Sequence, residues 1–254
     1  MAGSLAGLSW AGEAVTPGGV RLLSADVPPD RADEIWRELL EQHPATGLYP
    51  VLGPDAAYAA ELAGRYPTDV QGPAALAEAL TVDPAARFEQ LRRAAIAEGA
   101  SDGYEGAAAC WEATYDPARL AARLDGLTGP GPGVYRISRN YPPTSVLLVP
   151  ATAGYEVPVL VPALIRANNT DLRPVDHLAV LRHWHQRYGA ELYHPAGSTL
   201  ELDVARPPVT TEDVARCAVE QAVYCFDLIL QILGEPEDIA RKQARGTHWS
   251  FWWD

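Results

Sequence analysis

The sequence contains few of the residues that build disulfide frameworks and secretion signals. It has three cysteines, an odd number with no CxxC pair. Cys217 and Cys225 lie on one predicted helix with their Cα atoms ~12 Å apart, which is too far for a disulfide. The first basic residue is Arg21, so the charged start of a secretory signal is missing. These absences predict reduced cysteines in the core and a cytoplasmic protein.

The sequence also lacks common catalytic and metal-binding motifs: GxSxG, GxGxxG, HExxH, HxxxH and the phosphate-binding loop are all absent. Two of the six histidines, His183 and His185, are two residues apart on a predicted helix, so their rings point about 200° apart. His183 is predicted on the solvent face and His185 at its margin. His194 can face Glu201 or Asp203 across a hairpin, without the spacing of metal ligands. We therefore expect no cofactor and no tightly bound metal.

Basic residues are scarce, with 20 Lys and Arg against 33 Asp and Glu and a net charge of −13. Nucleic acid is excluded as a partner because it needs clustered basic residues, whereas a basic protein partner suits the charge. One apolar stretch, 145–165, is long enough to raise the question of a membrane span. Its prolines and glycine would break a spanning helix, so it predicts two short buried strands, the second at Val157–Val161, and no membrane partner.

The strongest helix prediction runs from Thr210 to Leu233. Thr210 or Thr211 can cap its start, and Gly234 and Pro236 end it. At 100° per residue, one apolar face comprises Val214, Cys217, Ala218, Gln221, Cys225, Leu228 and Ile232, and the other comprises Val219, Val223, Phe226 and Leu230. A helix that is apolar on two sides is buried on two sides.

A Gly/Pro run at 129–133 predicts a linker between a mostly helical region, 1–128, and a second region, 134–254. The second region reads strand, helix, strand, strand, helix, strand. We therefore predict an α+β protein, with a helix-rich N-terminal half followed by a ferredoxin-like (βαββαβ) antiparallel sheet that has its helices on one face.

Alternating residues predict the faces of the strands in this sheet. In the stretch 199–205, Leu200, Leu202 and Val204 are predicted to point inward, and Thr199, Glu201 and Asp203 outward. In the last strand, Trp249, Phe251 and Trp253 share one face. The ferredoxin-like order places this last strand beside Val146–Val149.

Several short stretches carry a resemblance to a known family. They are Thr46–Pro50, Leu181–Trp184, Arg187–Glu191, Thr199–Leu200, Arg206–Pro208, Cys225–Asp227 and, most specifically, Trp249–Asp254. Together they resemble uncharacterised bacterial proteins, mostly actinobacterial, with a C-terminal domain of unknown function that spans the last ~110 residues, a usual domain size. That family usually has proline at the position of Phe226, which would end the helix near Tyr224. This chain is expected to continue the helix. The resemblance implies that the C-terminal domain is a unit of folding, and it implies no activity.

A polar ridge lies between the two apolar faces of the long helix and comprises Glu220, Tyr224, Asp227 and Gln231. Two carboxylates on one ridge can act as general acid and base if burial raises one pKa. Glu220, Asp227 and Tyr224 are therefore the candidate catalytic residues. The alternative is that the ridge bonds to backbone ends and arginines between the two halves.

Four residues are candidates for binding a ligand or partner: Gln231, Trp252, Asp254 and His185. Trp252 can stack on a planar ligand or on a partner. Two functions remain open. The first is a protein–protein interaction or immunity-type binding module with an unknown, basic partner, and the second is a small-molecule enzyme that uses Glu220 and Asp227 beside the C-terminal strand. A concave cavity that receives these carboxylates favours the enzyme, and a flat acidic or aromatic patch favours the module.

Overall fold

The computed structural model describes residues 8, 10, 12–68, 71–101, 106–124, 126–127, 129–133, 136–167 and 171–254. The strands of this part are β1 (Gly12–Val15), β2 (Arg21–Asp26), β3 (Leu48–Gly53), β4 (Ser145–Pro150), β5 (Ala190–Ala196), β6 (Thr199–Val204) and β7 (His248–Trp252). The α-helices are α1 (Ala32–Thr46), α2 (Ala56–Arg65), α3 (Gly72–Ala79), α4 (Pro84–Ala100), α5 (Ala107–Thr114), α6 (Pro117–Arg123), α7 (Ile137–Asn140), α8 (Val157–Leu160), α9 (Pro174–Tyr188), α10 (Thr211–Tyr224) and α11 (Pro236–Ile239). Two π-helical segments, Leu228–Ile232 and Ala240–Ala244, follow α10 and α11. None of the described helices is long and apolar enough to cross a bilayer.

The first sheet has the antiparallel order β1-β2-β4-β3, so β4 has a neighbour on each edge. Both faces of β4 are also covered. Val146 and Leu148 pack in a cluster with Trp36 of α1, and Leu147 and Val149 face the main core. A strand that is buried on both faces is apolar at every position, which explains the continuous run in this sequence.

The second sheet has the antiparallel order β5-β6-β7, and α9 and α10 pack on one of its faces. Trp184 of α9 stacks on Phe251 with ring centroids 5.3 Å apart. Tyr224 of α10 meets Phe251 edge-on at the same distance. This aromatic layer is the C-terminal part of the core. The two sheets adjoin where the Tyr49 hydroxyl of β3 donates to the Leu192 carbonyl of β5.

The predicted α+β class, helix-rich N-terminal half and antiparallel sheets are confirmed. The single ferredoxin-like sheet is wrong, because β4 pairs with β2 and β3 whereas β7 pairs with β6. Alternation of residues indicates which face of a strand is buried, but it does not identify the strand across the ladder. The strand predicted at Val157–Val161 is also wrong. Pro158 stands in the first turn of α8, a position that suits its fixed φ.

The long helix ends at Tyr224, so the predicted continuation past Phe226 to Leu233 is wrong. Cys225 is extended, with φ −135° and ψ 93°. Its thiol donates to the Trp252 carbonyl at 3.1 Å, and the Asp227 carboxylate accepts the Asp254 N–H at 3.1 Å. The break therefore packs against the end of β7, and it forms with Phe226 at the position where the resemblance implied a proline.

The remaining helix, α10, begins as predicted and is buried on two faces. The Thr210 hydroxyl caps it by accepting the Asp213 N–H at 3.2 Å. Cys217 on one face and Val219 and Val223 on the other are all buried. Beyond the break the second face does not continue, since Leu230 is 62% exposed. The two-layer account therefore applies to residues 211–224.

Charge on either buried face of this region is expected to be harmful. We expect Val223→Asp and Leu228→Asp each to lower the free energy of unfolding by about 3 kcal/mol or more, because each buries a charge without a partner. Val209→Asp is the matched control, since Val209 is 83% exposed and the same change there meets solvent. Urea unfolding of the three variants measures the effect. A Val223→Asp variant as stable as the parent would show that the second face of α10 does not carry the fold.

The predicted linker, 129–133, contains no helix or strand. It is bound to the C-terminal part, because the Gly131 N–H donates to the Arg245 carbonyl at 3.2 Å and the Arg245 guanidinium donates to the Gly129 carbonyl at 2.7 Å. The next strand, β4, lies inside the N-terminal sheet. The division into 1–128 and 134–254 stays a prediction. A test that separates the two regions must break these contacts.

Candidate functional site

One face of the second sheet packs against α9 and α10. The opposite face is polar, and other parts of the chain bury it. Its buried residues are Tyr193, His194, Thr199, Glu201, His248 and Ser250. They are covered by α7, by Arg136 just before it and by the segment after α11, since the Ser138 N–H donates to Glu201 and Gln243 accepts the Ser250 N–H. Thr199 and Glu201 do point away from the helices, as predicted. Both are nevertheless buried, because other parts of the chain cover most of this face.

A bulge in β5 determines which side chains lie on this polar face. Leu192 is opposite Leu202 but His194 is opposite Glu201, so that β5 has one extra residue, Tyr193. A bulge of this kind lets two successive side chains lie on one face, and it re-aims the strand. The Tyr193 ring accordingly lies edge-on to His248, 5.9 Å between centroids.

His194, Glu201 and Ser250 form one row across the three strands. Cross-strand neighbours on one face have Cβ atoms about 5 Å apart. His194 and Ser250 therefore stand on either side of Glu201 and approach the space above it from two directions.

Glu201 lies in the middle of the row and is fully buried. Its carboxylate is held by hydrogen bonds from other parts of the chain. The His248 Nε2 lies 3.2 Å from its Oε1, and the Ser138 N–H donates to both oxygens at 3.3–3.4 Å. Burial by itself raises the pKa of Glu201, but these hydrogen bonds outweigh it and hold the pKa below its ordinary value. Glu201 is therefore an ionised carboxylate that positions the residues around it.

One ring nitrogen of His194 is hydrogen-bonded to a backbone carbonyl, and the other takes no part in that bond. Its Nδ1 lies 2.8 Å from the Leu52 carbonyl oxygen. A carbonyl only accepts, so Nδ1 carries the hydrogen, and in a neutral ring Nε2 is then an acceptor. Burial is the main cause that lowers the pKa of His194, so the ring is neutral at pH 7.

A cavity of about 830 Å³ opens above the row, within the usual size of small-molecule pockets. Its polar lining is Asn140, His194, Thr199, Lys242, Gln243 and Ser250, and its apolar lining is Gly133, Tyr141, Ala196, Ile232, Leu233 and Trp252. No Asp or Glu occurs among these described lining residues, although the chain as a whole is acidic.

The mouth of the cavity is aromatic and apolar. Tyr141 is 77% exposed and Ile232 is 47% exposed, and Trp252 is half-buried beside them. Lys242, the only lysine of the sequence, stands at the edge. Its ammonium lies 2.9 Å from an Asp238 carboxylate oxygen, so its charge is partly balanced.

The candidate Glu220 lies elsewhere, in a groove of about 1280 Å³ between α4–α6 and α9–α10. Its carboxylate accepts the Trp184 indole N–H at 3.0 Å and lies 3.2 Å from His183 Nε2. The predicted solvent position of His183 is therefore wrong. Phe88 of α4 covers the ring edge-on, because α4 packs on a face of α9 that the helical pattern left open.

The candidates Tyr224 and Asp227 line a third cavity, of about 880 Å³. The Tyr224 hydroxyl is 2.6 Å from His177 Nδ1. Asp227 accepts from the Gln231 amide at 2.9 Å and from the Asp254 N–H. Tyr224, Asp227, Gln231 and Asp254 are thus in contact or adjacent. Glu220 lies one turn before Tyr224 on α10 and faces the first groove, and the end of α10 at Tyr224 interrupts the ridge between Glu220 and Asp227.

The two remaining candidates are separated from this group. His185 Nδ1 lies 3.1 Å from one oxygen of Glu191, and the other oxygen accepts the Tyr49 hydroxyl. The nearby Glu191 carboxylate raises the pKa of His185. Trp252 lines the cavity over the polar face. In the described ranges no group of three or more His, Cys, Asp or Glu residues is arranged to hold a metal.

Sequence reasoning missed three polar residues that line the cavity over the polar face as a site: His194, Thr199 and Ser250. A signal was present, because β6 and β7 both alternate apolar and polar residues, which gives neighbouring strands a shared polar face. Alternation is typical of a strand with one solvated face. It does not reveal that distant segments cover the polar side.

Comparison with protein families gives one match: residues 145–254 match the model of a family described as a domain of unknown function (DUF4253). The matched segment begins at β4 and contains all the cavity-lining residues except Gly133, Asn140 and Tyr141. Comparisons with curated proteins and with solved structures gave no match.

Proposed function

We propose that the protein binds a small organic molecule in the cavity over the polar face of the second sheet. One observation carries this proposal. Three buried polar side chains, His194, Thr199 and Ser250, converge beneath an opening of ligand size whose rim is aromatic. Mostly apolar pockets with a few convergent polar groups are the usual form of small-molecule sites.

The chemistry of the lining supports a flat molecule with a polar end. Trp252 offers an aromatic face for stacking, and the hydroxyls of Thr199 and Ser250 can each donate or accept. Gln243 is already hydrogen-bonded to Gln221 and to the Ser250 backbone, so we assign it a role in the shape of the cavity and no hydrogen bond to the ligand. The lack of acidic lining residues disfavours a cationic ligand. A cytoplasmic location is part of the proposal, supported by the acidic composition and the free cysteines.

We assign no acid–base pair to Glu220 and Asp227. They line different cavities, and the end of α10 at Tyr224 interrupts the ridge between them. The pair was inferred from a continuous ridge, and its support disappears with the ridge.

Binding of a protein partner is the second candidate function. The exposed rings and side chains at the mouth, Tyr141 and Ile232, favour it because exposed aromatic and aliphatic groups anchor interfaces. The net charge of −13 favours a basic partner, as an interaction or immunity-type module would have.

Filling the cavity is expected to expel the ligand without unfolding the protein. Ala196 lines the cavity and is exposed, so Ala196→Phe adds bulk there and removes no hydrogen bond. We expect the amount of small molecule retained from the native host, measured by mass spectrometry after denaturation, to fall at least about tenfold. Ala118→Phe on α6 is the control, since Ala118 is also exposed and lies outside the cavity.

Two results decide between the candidates. Equal retention of one compound by the parent, Ala196→Phe and Ala118→Phe would contradict binding in the cavity. A basic protein captured from the host by the parent and by Ala196→Phe alike, with no retained small molecule, supports the second candidate.

A further inference from the structure

We propose that His194 is the hydrogen-bond acceptor of the cavity, and that the ligand is an uncharged planar molecule that presents a hydroxyl or N–H group to its Nε2. This inference rests on the proposed function and names the chemical class of the ligand at that site. It comes from the geometry of one buried ring and of the groups that surround it.

The backbone determines the orientation of the ring. The bulge at Tyr193 places His194 on the polar face, opposite Glu201. The Leu52 carbonyl of β3 then holds Nδ1 at 2.8 Å and requires its hydrogen. Because both ends of this contact belong to packed strands, the tautomer is set before any ligand arrives.

The other nitrogen lacks a protein partner. His194 is 6% exposed and lines the cavity, and no hydrogen bond to Nε2 is formed by the described parts of the chain. Because His194 lines the cavity, this acceptor is accessible there to a donor group of a ligand. The Glu201 carboxylate does not serve as that partner, because it accepts and is bound to His248 and Ser138.

The lining selects among ligand charges. A cation would meet no carboxylate among the described lining residues. A carboxylate ligand would face the lone pair of Nε2, and two acceptors repel each other. A hydroxyl or N–H group donates to Nε2 directly, and the Ser250 hydroxyl, across Glu201 in the same row, can accept or donate on its other side. Trp252 then covers the flat part of the ligand.

The first test examines the tautomer in the free protein. Long-range ¹H–¹⁵N spectra of the full chain with labelled histidine distinguish a protonated ring nitrogen from an unprotonated one, and His194→Gln identifies the signals by removing them. We expect a protonated Nδ1 and an unprotonated Nε2 at pH 7. A protonated Nε2 overturns the inference and leaves the proposed function untouched.

The second test compares three matched probes: 2-naphthol, 2-methoxynaphthalene and 2-naphthoate. They share one ring system and differ in a donor, a capped oxygen and an anion. Because Lys242 is the only lysine and lies at the edge of the cavity, its protection from acylation, measured by mass spectrometry of its peptide, reports occupancy. We expect 2-naphthol to bind at least about tenfold more tightly than the other two, as one buried hydrogen bond allows.

The remaining outcomes distinguish the role of His194 from the proposal that the cavity binds a small molecule. His194→Phe keeps a ring of similar size, and we expect it to bind 2-naphthol and 2-methoxynaphthalene equally. Equal protection by these two probes in the parent overturns the role of His194 while the cavity proposal survives. Absence of protection by any probe overturns both. The parent protein decides these points, so the inference remains testable even if His194→Phe fails to fold.

Discussion

Removal of residues 251–254 is expected to abolish cooperative unfolding. Phe251 and Trp253 are fully buried, and Phe251 is enclosed by Trp184 and Tyr224 in the aromatic layer. Core aromatics of this size typically contribute about 3–5 kcal/mol each, and a whole domain is stable by only about 5–15 kcal/mol. The truncated protein should be insoluble or should retain helix signal without near-UV circular dichroism.

A single change at the same end provides the control. Asp254→Asn keeps the backbone N–H that donates to Asp227, and the Asp254 side chain is exposed. We expect this variant to melt like the parent. A truncated chain with a native-like cooperative melt would show that β7 is not needed for the core. The expectation does not depend on a pairing of β7 with β4, because it follows from burial and from the pairing of β7 with β6.

The second large effect is expected when the two halves are separated. A fragment of residues 134–254 contains β4 but neither of its neighbours, β2 and β3. It would expose both edges of a strand that is apolar on both faces, a combination that drives aggregation. Val146 and Leu148 would also lose the cover of Trp36. We therefore expect this fragment alone to be insoluble or molten by circular dichroism and size-exclusion chromatography.

Co-expression with a fragment of residues 1–133 is expected to restore a soluble complex, because it returns both neighbours of β4. The control is the full chain cut at a protease site inserted in 129–133, which keeps all the same segments and should remain folded. A fragment of 134–254 that melts cooperatively near the parent temperature would instead support the predicted division into two domains.

Local features of the fold followed from the sequence because they depend on local physics. The Thr210 cap, the alternating faces of β6 and the shared face of Trp249, Phe251 and Trp253 are determined by residues a few positions apart. The α+β class followed from the same patterns. These features need no knowledge of which segment lies across a contact.

Features that depend on distant contacts did not follow. The pairing of β4 is decided by neighbours about a hundred residues earlier, and the helix break at Cys225 by the end of β7. The site was missed for the same reason. Glu220 and Asp227 lie on one ridge only if the helix continues, and His194 becomes part of a cavity only after Leu52 and the segment 136–143 cover its face.

The bulge in β5 has a consequence for alignments of related sequences. Tyr193, the residue that pairing with β6 does not use, meets Trp36 edge-on, donates to Asp33 and lies under Arg136. All three partners stand outside the segment 145–254 that matches the family. A relative with a one-residue gap here would keep an unbroken ladder and its histidine opposite the glutamate. It would lack one of the side chains that join this sheet to the N-terminal half, so the gap would indicate a domain that is attached without the contacts of Tyr193.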